Sequence, residues 1–393
     1  MSIVDGASTA REITDWLIAE GRELGEGIAV VDQYVQRLVD AGIPLSRVNV
    51  AQRFANPLLV AWGVIWTPDG SHEYDVTHAM LDTASYVGSP FETVLTTEKP
   101  LHKSLLNLDR EVEHSAYLEL ADGGGADLYA NFLRYGDGSK NGCTFVTDDP
   151  DGFTPEHIRL IDATAYGLAS AMEPITMRRS IGSLLKTYIG DGPARAVSNG
   201  SIQRGEHASI EAVVMFTDLR GFTSKSEQWA DTKLLDALNS YFDVVVLAVE
   251  KHDGDVLKFM GDGILSVFAI DGKMIVESQC RNAIDAARMA LEELDVLNTG
   301  RLADGEEVLS IGIGINVGSV TFGNIGSPDR LDFTVLGSAV NIASRVQDLC
   351  KALDTELLVT QSVASCRSEA FEEKGAHPVR GIAEPIPLFG LKR

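Results

Sequence analysis

Val213-Val214-Met215-Phe216-Thr217-Asp218-Leu219-Arg220-Gly221-Phe222-Thr223 is the stretch whose reading decides the fold. Four consecutive apolar residues read as a strand buried on both faces, and an acid stands where that strand ends. Beyond it the spacing predicts a helix starting at Ser224, with Glu227 three residues on completing a capping box. Amides at a helix start attract anions, so Asp218 is expected to stand beside a phosphate cradle at Gly221, Phe222 and Thr223 and to hold a metal ion against a polyphosphate.

The second acid lies in Met260-Gly261-Asp262-Gly263, a tight turn between apolar strands expected over 255–260 and 264–270. Strands lying beside the first would bring Asp218 and Asp262 to one end of a sheet, where a carboxylate pair suits two Mg²⁺ ions and in-line displacement at phosphorus. Taken singly, each acid reads more simply as a turn or cap residue. The third segment, Gly337-Ser338-Ala339-Val340-Asn341-Ile342-Ala343-Ser344-Arg345, shifts the balance, because Asn341 and Arg345 stand at i, i+4 on one helix face. Further strands over 212–216, 310–317 and 332–335, with helices over 234–249, 279–297 and 338–353, give the order βαββαββα, an open sheet covered by helices.

With 393 residues the chain exceeds the size at which single cores stop growing, about 250–300 residues, so two domains are expected. A net charge of −24, with no dense Lys/Arg cluster, disfavours nucleic acid as a partner, whereas a metal-neutralised nucleotide tolerates an acidic surface. The four cysteines are scattered without a C-x-x-C pair, which argues against a disulfide framework or zinc ribbon and fits a reducing cytoplasm. No apolar run approaches the ~20 residues of a membrane helix, so no membrane partner is expected.

Together, the segments Val213 to Thr223, Leu257-Lys258-Phe259-Met260-Gly261-Asp262-Gly263, and Phe333-Thr334-Val335-Leu336-Gly337 running on to Arg345 resemble the class III nucleotidyl cyclases, the adenylate and guanylate cyclase catalytic domain. They span most of residues 206–393, the expected catalytic domain, for which the resemblance implies a ferredoxin-like βαββαβ fold. It also implies that Asp218, Asp262 and the carbonyl of Leu219 ligate two Mg²⁺ or Mn²⁺ ions, that Arg345 stabilises the pentacoordinate phosphorus, and that Asn341 orients the ribose. Lys258 and Thr334 fall where adenylate cyclases read the base: lysine donates to adenine N1 and threonine accepts from the 6-amino group, which favours ATP over GTP. This pairing also resembles the bicarbonate-responsive subgroup, making bicarbonate a candidate effector. Where the family supplies a basic group toward the phosphates, Arg380 is the candidate match. Acids on one domain and base-reading and Asn/Arg residues on its partner imply a homodimer with composite sites. A diguanylate cyclase is a rival, but the Gly261-Asp262-Gly263 turn lacks its signature. A silent nucleotide sensor is another, against which the intact Asp218, Asp262, Asn341 and Arg345 speak.

Residues 1–175 read as a separate α+β domain resembling a GAF-like sensory module, followed by a helical linker over 176–205. Helical periodicity over 13–41 ends at the Gly42-Ile43-Pro44 turn, strands are expected over 47–54, 58–66, 126–135 and 142–147, and 67–125 reads as largely irregular. A helix opening at Thr154-Pro155-Glu156 carries a seam at Ile158, Ile161, Ala165, Leu168 and Met172, read as a core face in preference to a coiled coil; Pro174 is expected to end or kink it. His72, His78, His102 and His114 match no metal-site spacing, and Trp62, Trp66, Phe91, Tyr117, Tyr129 and Phe132 read as core before pocket. A small-molecule effector of this domain would be its regulatory input.

Overall fold

The computed structural model describes residues 6–270, 275–380 and 382–392, which divide into two compact units at Leu184/Leu185. In the N-terminal unit, α1 (Gly6–Trp16) and α2 (Gly27–Asp40) precede β1 (Arg47–Arg53) and β2 (Leu59–Thr67). The helical periodicity expected over 13–41 is therefore interrupted. A π-helical turn, Leu17–Gly21, and Gly25 at φ 73° separate the helices, and Gly27 passes so close to Trp62 that a Cβ would meet its ring at 2.7 Å.

The region read as irregular contains β3 (Gly70–Thr77), α3 (Pro90–Thr97), β4 (Leu101–Ser104) and α4 (Ser115–Asp122). None exceeds eight residues, too short for a clear period, and β3 is mostly exposed, which removes the apolar alternation that marks a strand. Then come β5 (Asp127–Arg134), β6 (Lys140–Thr147) and α5 (Pro155–Ile189). The six strands form a sheet in the order β3-β2-β1-β6-β5-β4 with every pairing antiparallel.

Alternation sorts the sheet's two faces. Val48 and Val50 of β1 enter a core with Val31, Tyr34 and Leu38 of α2 and Ile161, Leu168 and Met172 of α5. The seam of α5 is thus a core face. Pro174, expected to end or kink the helix, does not end it. Its missing donor and ring clash cost about 3 kcal/mol, but Ile175 and Thr176 beyond it are buried, Thr176 donates to Gln52 Oε1 at 3.2 Å, and Ser183 Oγ accepts from Asn56 Nδ2 at 2.6 Å. Packing on both sides of the proline and side-chain bonds beyond it hold the helix together. Trp62 and Tyr129 belong to the same core, and Tyr117 to a smaller one. His102 bonds Asp127 at 2.7 Å and His114 accepts from Ala116 N–H at the start of α4, both as hydrogen-bonding histidines.

The C-terminal unit takes in the end of α5 and then α6 (Asp191–Ser198), a helix that follows Gly190. Pro193 lies in its first turn, where a missing N–H is harmless. There follow β7 (His207–Leu219), α7 (Phe222–Gln228), α8 (Asp231–Lys251), β8 (Asp255–Met260), β9 (Gly263–Ile270), α9 (Val276–Ala303), β10 (Ile311–Ser327), β11 (Arg330–Leu336) and α10 (Ser338–Ala352). The chain ends with β12 (Leu357–Thr360), α11 (Gln361–Ala364), β13 (Phe371–His377) and β14 (Ile386–Leu391), none of which the periodicity marked out. The eight strands run β13-β14-β12-β10-β7-β9-β8, with β11 pairing β10 off this path. Within it, β7-α8-β8-β9-α9-β10 is a βαββαβ unit in the antiparallel order β10-β7-β9-β8, the ferredoxin-like arrangement.

Parity again divides the faces. Val213 and Met215 of β7 pack with Tyr241 and Val245 of α8 and Ala283 and Ala287 of α9. Ala212 and Val214 pack with Leu257 of β8, Val335 of β11 and Ala339 and Ala343 of α10. Asp218 continues the second parity, toward α10.

Candidate active site

At the end of β7 the chain leaves the sheet through Gly221, whose φ of 73° favours glycine, and enters α7 at once at Phe222. The expected capping box at Ser224 and Glu227 is not formed. Ser224 already lies inside α7, where its Oγ accepts from Gln228 at 3.2 Å, and no side chain caps the helix. Phe222 packs against the α8–α9 core, while Thr223 is exposed and its carbonyl accepts from Ser226. Arg220 donates to the Thr355 and Cys350 carbonyls, fixing the turn that follows the buried Leu219.

The pairing of β7 with β9 runs to Thr217 opposite Ile264, so the β8–β9 turn stands beside the end of β7. Asp218 and Asp262 meet there in hydrogen-bond contact. Burial, then the hydrogen bond to Asp262, then its charge push the Asp218 carboxyl up to about 7; the Leu219 N–H opposes this, and Asp348 of α10 adds to it. Two oxygen-donor groups held together against their repulsion are a donor set suited to a hard divalent cation. Mg²⁺ uses one or two carboxylates plus phosphate and water oxygens, so the pair fits without a third side-chain ligand, and no cluster of three His/Cys/Asp/Glu ligands occurs among the described residues.

The other expected residues lie elsewhere in the unit. Lys258 forms an ion pair with Asp332, whereas Thr334 stands two residues further along β11 on the same side. Asp332 is the partner that sequence reasoning missed, and its i, i+2 relation to Thr334 was the available signal. Asn341 is exposed in the first turn of α10. Arg345 donates to the Arg380 carbonyl, so Arg380 contributes its backbone to Arg345; Gly381 lies outside the described residues. Among the described residues no hydrogen bond or ion pair joins Lys258, Thr334, Asn341 or Arg345 to Asp218 or Asp262.

Two glycines and an asparagine that carried no weight in the sequence position α10. A Cβ at Gly314 of β10 would lie 2.4 Å from the Ala343 carbonyl, and one at Gly312 would lie 2.8 Å from Gln347 Nε2. Buried Asn316 donates to the Ala339 carbonyl at 3.1 Å and accepts from Thr360. The helix bearing Asn341 and Arg345 rests directly on the strand that pairs with β7.

The architecture and the acid pair define a ferredoxin-like domain with a metal-suited sheet edge. Residues 206–391, just under half of the chain, match the family model of the adenylate and guanylate cyclase catalytic domain. An adenylate cyclase of Anabaena cylindrica is 33% identical over 202 residues, 49% of this chain and 39% of that protein. Adenylate cyclase 1 of Rhizobium meliloti is 32% identical over 184 residues, 46% of this chain and 27% of that protein. The crystal structure of the adenylyl cyclase CyaB from P. aeruginosa is similar at 28% identity and a TM-score of 0.44, covering 48% of this chain and 96% of that one. The chain therefore spans well under half the length of these two curated relatives. No described helix is long and apolar enough to cross a membrane.

Proposed function

We propose that residues 206–393 convert ATP to 3′,5′-cyclic AMP and pyrophosphate. The observation that carries this is the contact of Asp218 with Asp262 at one sheet edge of a domain of the cyclase family. The names of the two curated relatives support the same reading.

Asp218 and Asp262, with the Leu219 carbonyl, would hold Mg²⁺ or Mn²⁺, which when bound supplies charge neutralisation of the triphosphate and acidification of the ribose 3′ hydroxyl. The chain's own residues do the rest. Asn341 orients the ribose so that the 3′ oxygen lies in line with the α-phosphorus and the leaving pyrophosphate. Arg345, held by the Arg380 carbonyl, directs a fixed cation at the charge that develops on the phosphorus oxygens. Lys258 donates to adenine N1, with Asp332 aiming its ammonium group, and Thr334 accepts from the 6-amino group. The working site is composite, built from two copies, a reading compatible with the lack of any hydrogen bond or ion pair between the acids and these residues among the described residues.

Purified protein incubated with Mn²⁺ and either ATP or GTP, products separated by chromatography, tests the reading. Cyclic AMP from ATP, absent in Asp262→Ala, is expected; no cyclic product from either nucleotide would overturn it.

A further inference from the structure

The N-terminal unit contains a cavity of about 400 Å³ on the sheet face opposite α2 and α5. Its floor is the second parity of β1, Arg47, Asn49, Ala51 and Arg53, flanked by Tyr74 of β3; the valines of the first parity are buried in the core. Its cover comes from the segment that the sequence left irregular, with Tyr86 and Phe91 supplying aromatic surface and Leu120 of α4 closing one side. This volume lies within the ~300–1,000 Å³ typical of sites for small organic molecules.

Its charge is uneven in an informative way. Lys140, which also lines it, is neutralised by Glu98 at 2.6 Å. Arg47 and Arg53, by contrast, have no ion-pair partner among the described residues. The one acid in the lining, Glu119, is exposed on α4. The two guanidiniums stem from opposite ends of β1, with Cα atoms about 20 Å apart. Arg53 is exposed, where screening leaves little pairing energy, but Arg47 is partly buried. Its charge acts on Tyr74, whose hydroxyl donates to Asn49 Oδ1 at 2.8 Å. Phe91 abuts Gly142, the partner of Ala51 across the β1–β6 pairing, so a planar body lying beneath it along Ala51 and Asn49 would carry an anionic group toward Arg47.

We propose that this cavity binds a small aromatic carboxylate, anchored by Arg47, with Arg53 at the mouth. The site is independent of the nucleotide chemistry proposed above and is read without nucleotide. Calorimetric titration of the full chain with 2-naphthoate and its neutral amide, 2-naphthamide, tests it. The carboxylate is expected to bind about tenfold more tightly than the amide, and Arg47→Gln to bring the two within about threefold, while Arg53→Gln keeps most of the preference. Ala51→Phe, which fills the floor, should weaken both probes and serves as a second variant should Arg47→Gln fail to fold. Equal affinity of the two probes for the native chain, absence of binding by either, or a preference that survives Arg47→Gln would overturn the proposal.

Discussion

At the scale of single residues, the acid pair makes a pH-dependent demand on the fold. The Asp218 carboxyl, pushed up from its ordinary value to about 7, binds its proton more tightly in the folded chain than in the unfolded one. Its contribution is therefore fully favourable below the ordinary carboxylate range and is lost as pH rises through about 7. Without divalent metal, Asp218→Asn should melt higher than the native chain at pH 8, by about 2–4 °C after allowing for solvent screening of a partly buried group, and equally near pH 4. The same variant should lose cyclase activity, and Mn²⁺ should raise the melting temperature of the native chain but not of the variant. Asp332→Asn belongs to this scale as well. Its ion pair with Lys258 is exposed, so stability should change by less than about 0.5 kcal/mol, while the ATP-over-GTP ratio of kcat/KM falls about three- to tenfold. A ratio left intact would show that Asp332 does not aim Lys258. The acids were legible in the sequence because each stands at a strand end in a distinctive stretch. Asp332 was not read, because its one signal, the i, i+2 relation to Thr334, counts only once β11 is known to run beside Lys258.

At the scale of elements, the strand–helix contact between β10 and α10 decides where Asn341 and Arg345 stand. The Gly312-x-Gly314 pattern looks like a weak motif in one dimension; in three it is the smooth surface on which α10 lies. Gly314→Ala drives a Cβ to 2.4 Å from the Ala343 carbonyl. It should destabilise the domain by about 1–3 kcal/mol and reduce kcat, read by denaturant titration and turnover. Gly182→Ala is the control: that glycine is exposed on α5 with open space around it, so about 0.5–1 kcal/mol of stabilisation is expected. Long periodic elements such as α5, α8, α9 and α10 were readable from sequence. The short pieces between 70 and 122 and those after 353 were not, because their places are set by tertiary packing. Pro174 shows the same override in a helix: propensity argued for an end or a kink, and with burial on both sides the helix does not end there.

At the scale of the whole molecule, one chain presents the acid pair and, apart from it, Lys258, Thr334, Asn341 and Arg345, a separation that an isolated copy leaves unbridged by any hydrogen bond or ion pair among the described residues. This is the proposal's central feature, and complementation between inactive variants measures it directly. Asp262→Ala and Arg345→Ala, each purified and shown to dimerise, should each be inactive on ATP. After mixing at equal concentrations and allowing subunits to exchange, half of the dimers carry one intact site, so cyclic AMP synthesis should recover to about a quarter of the native rate. A mixture that remains silent, although heterodimers form, would contradict a composite site shared between two copies.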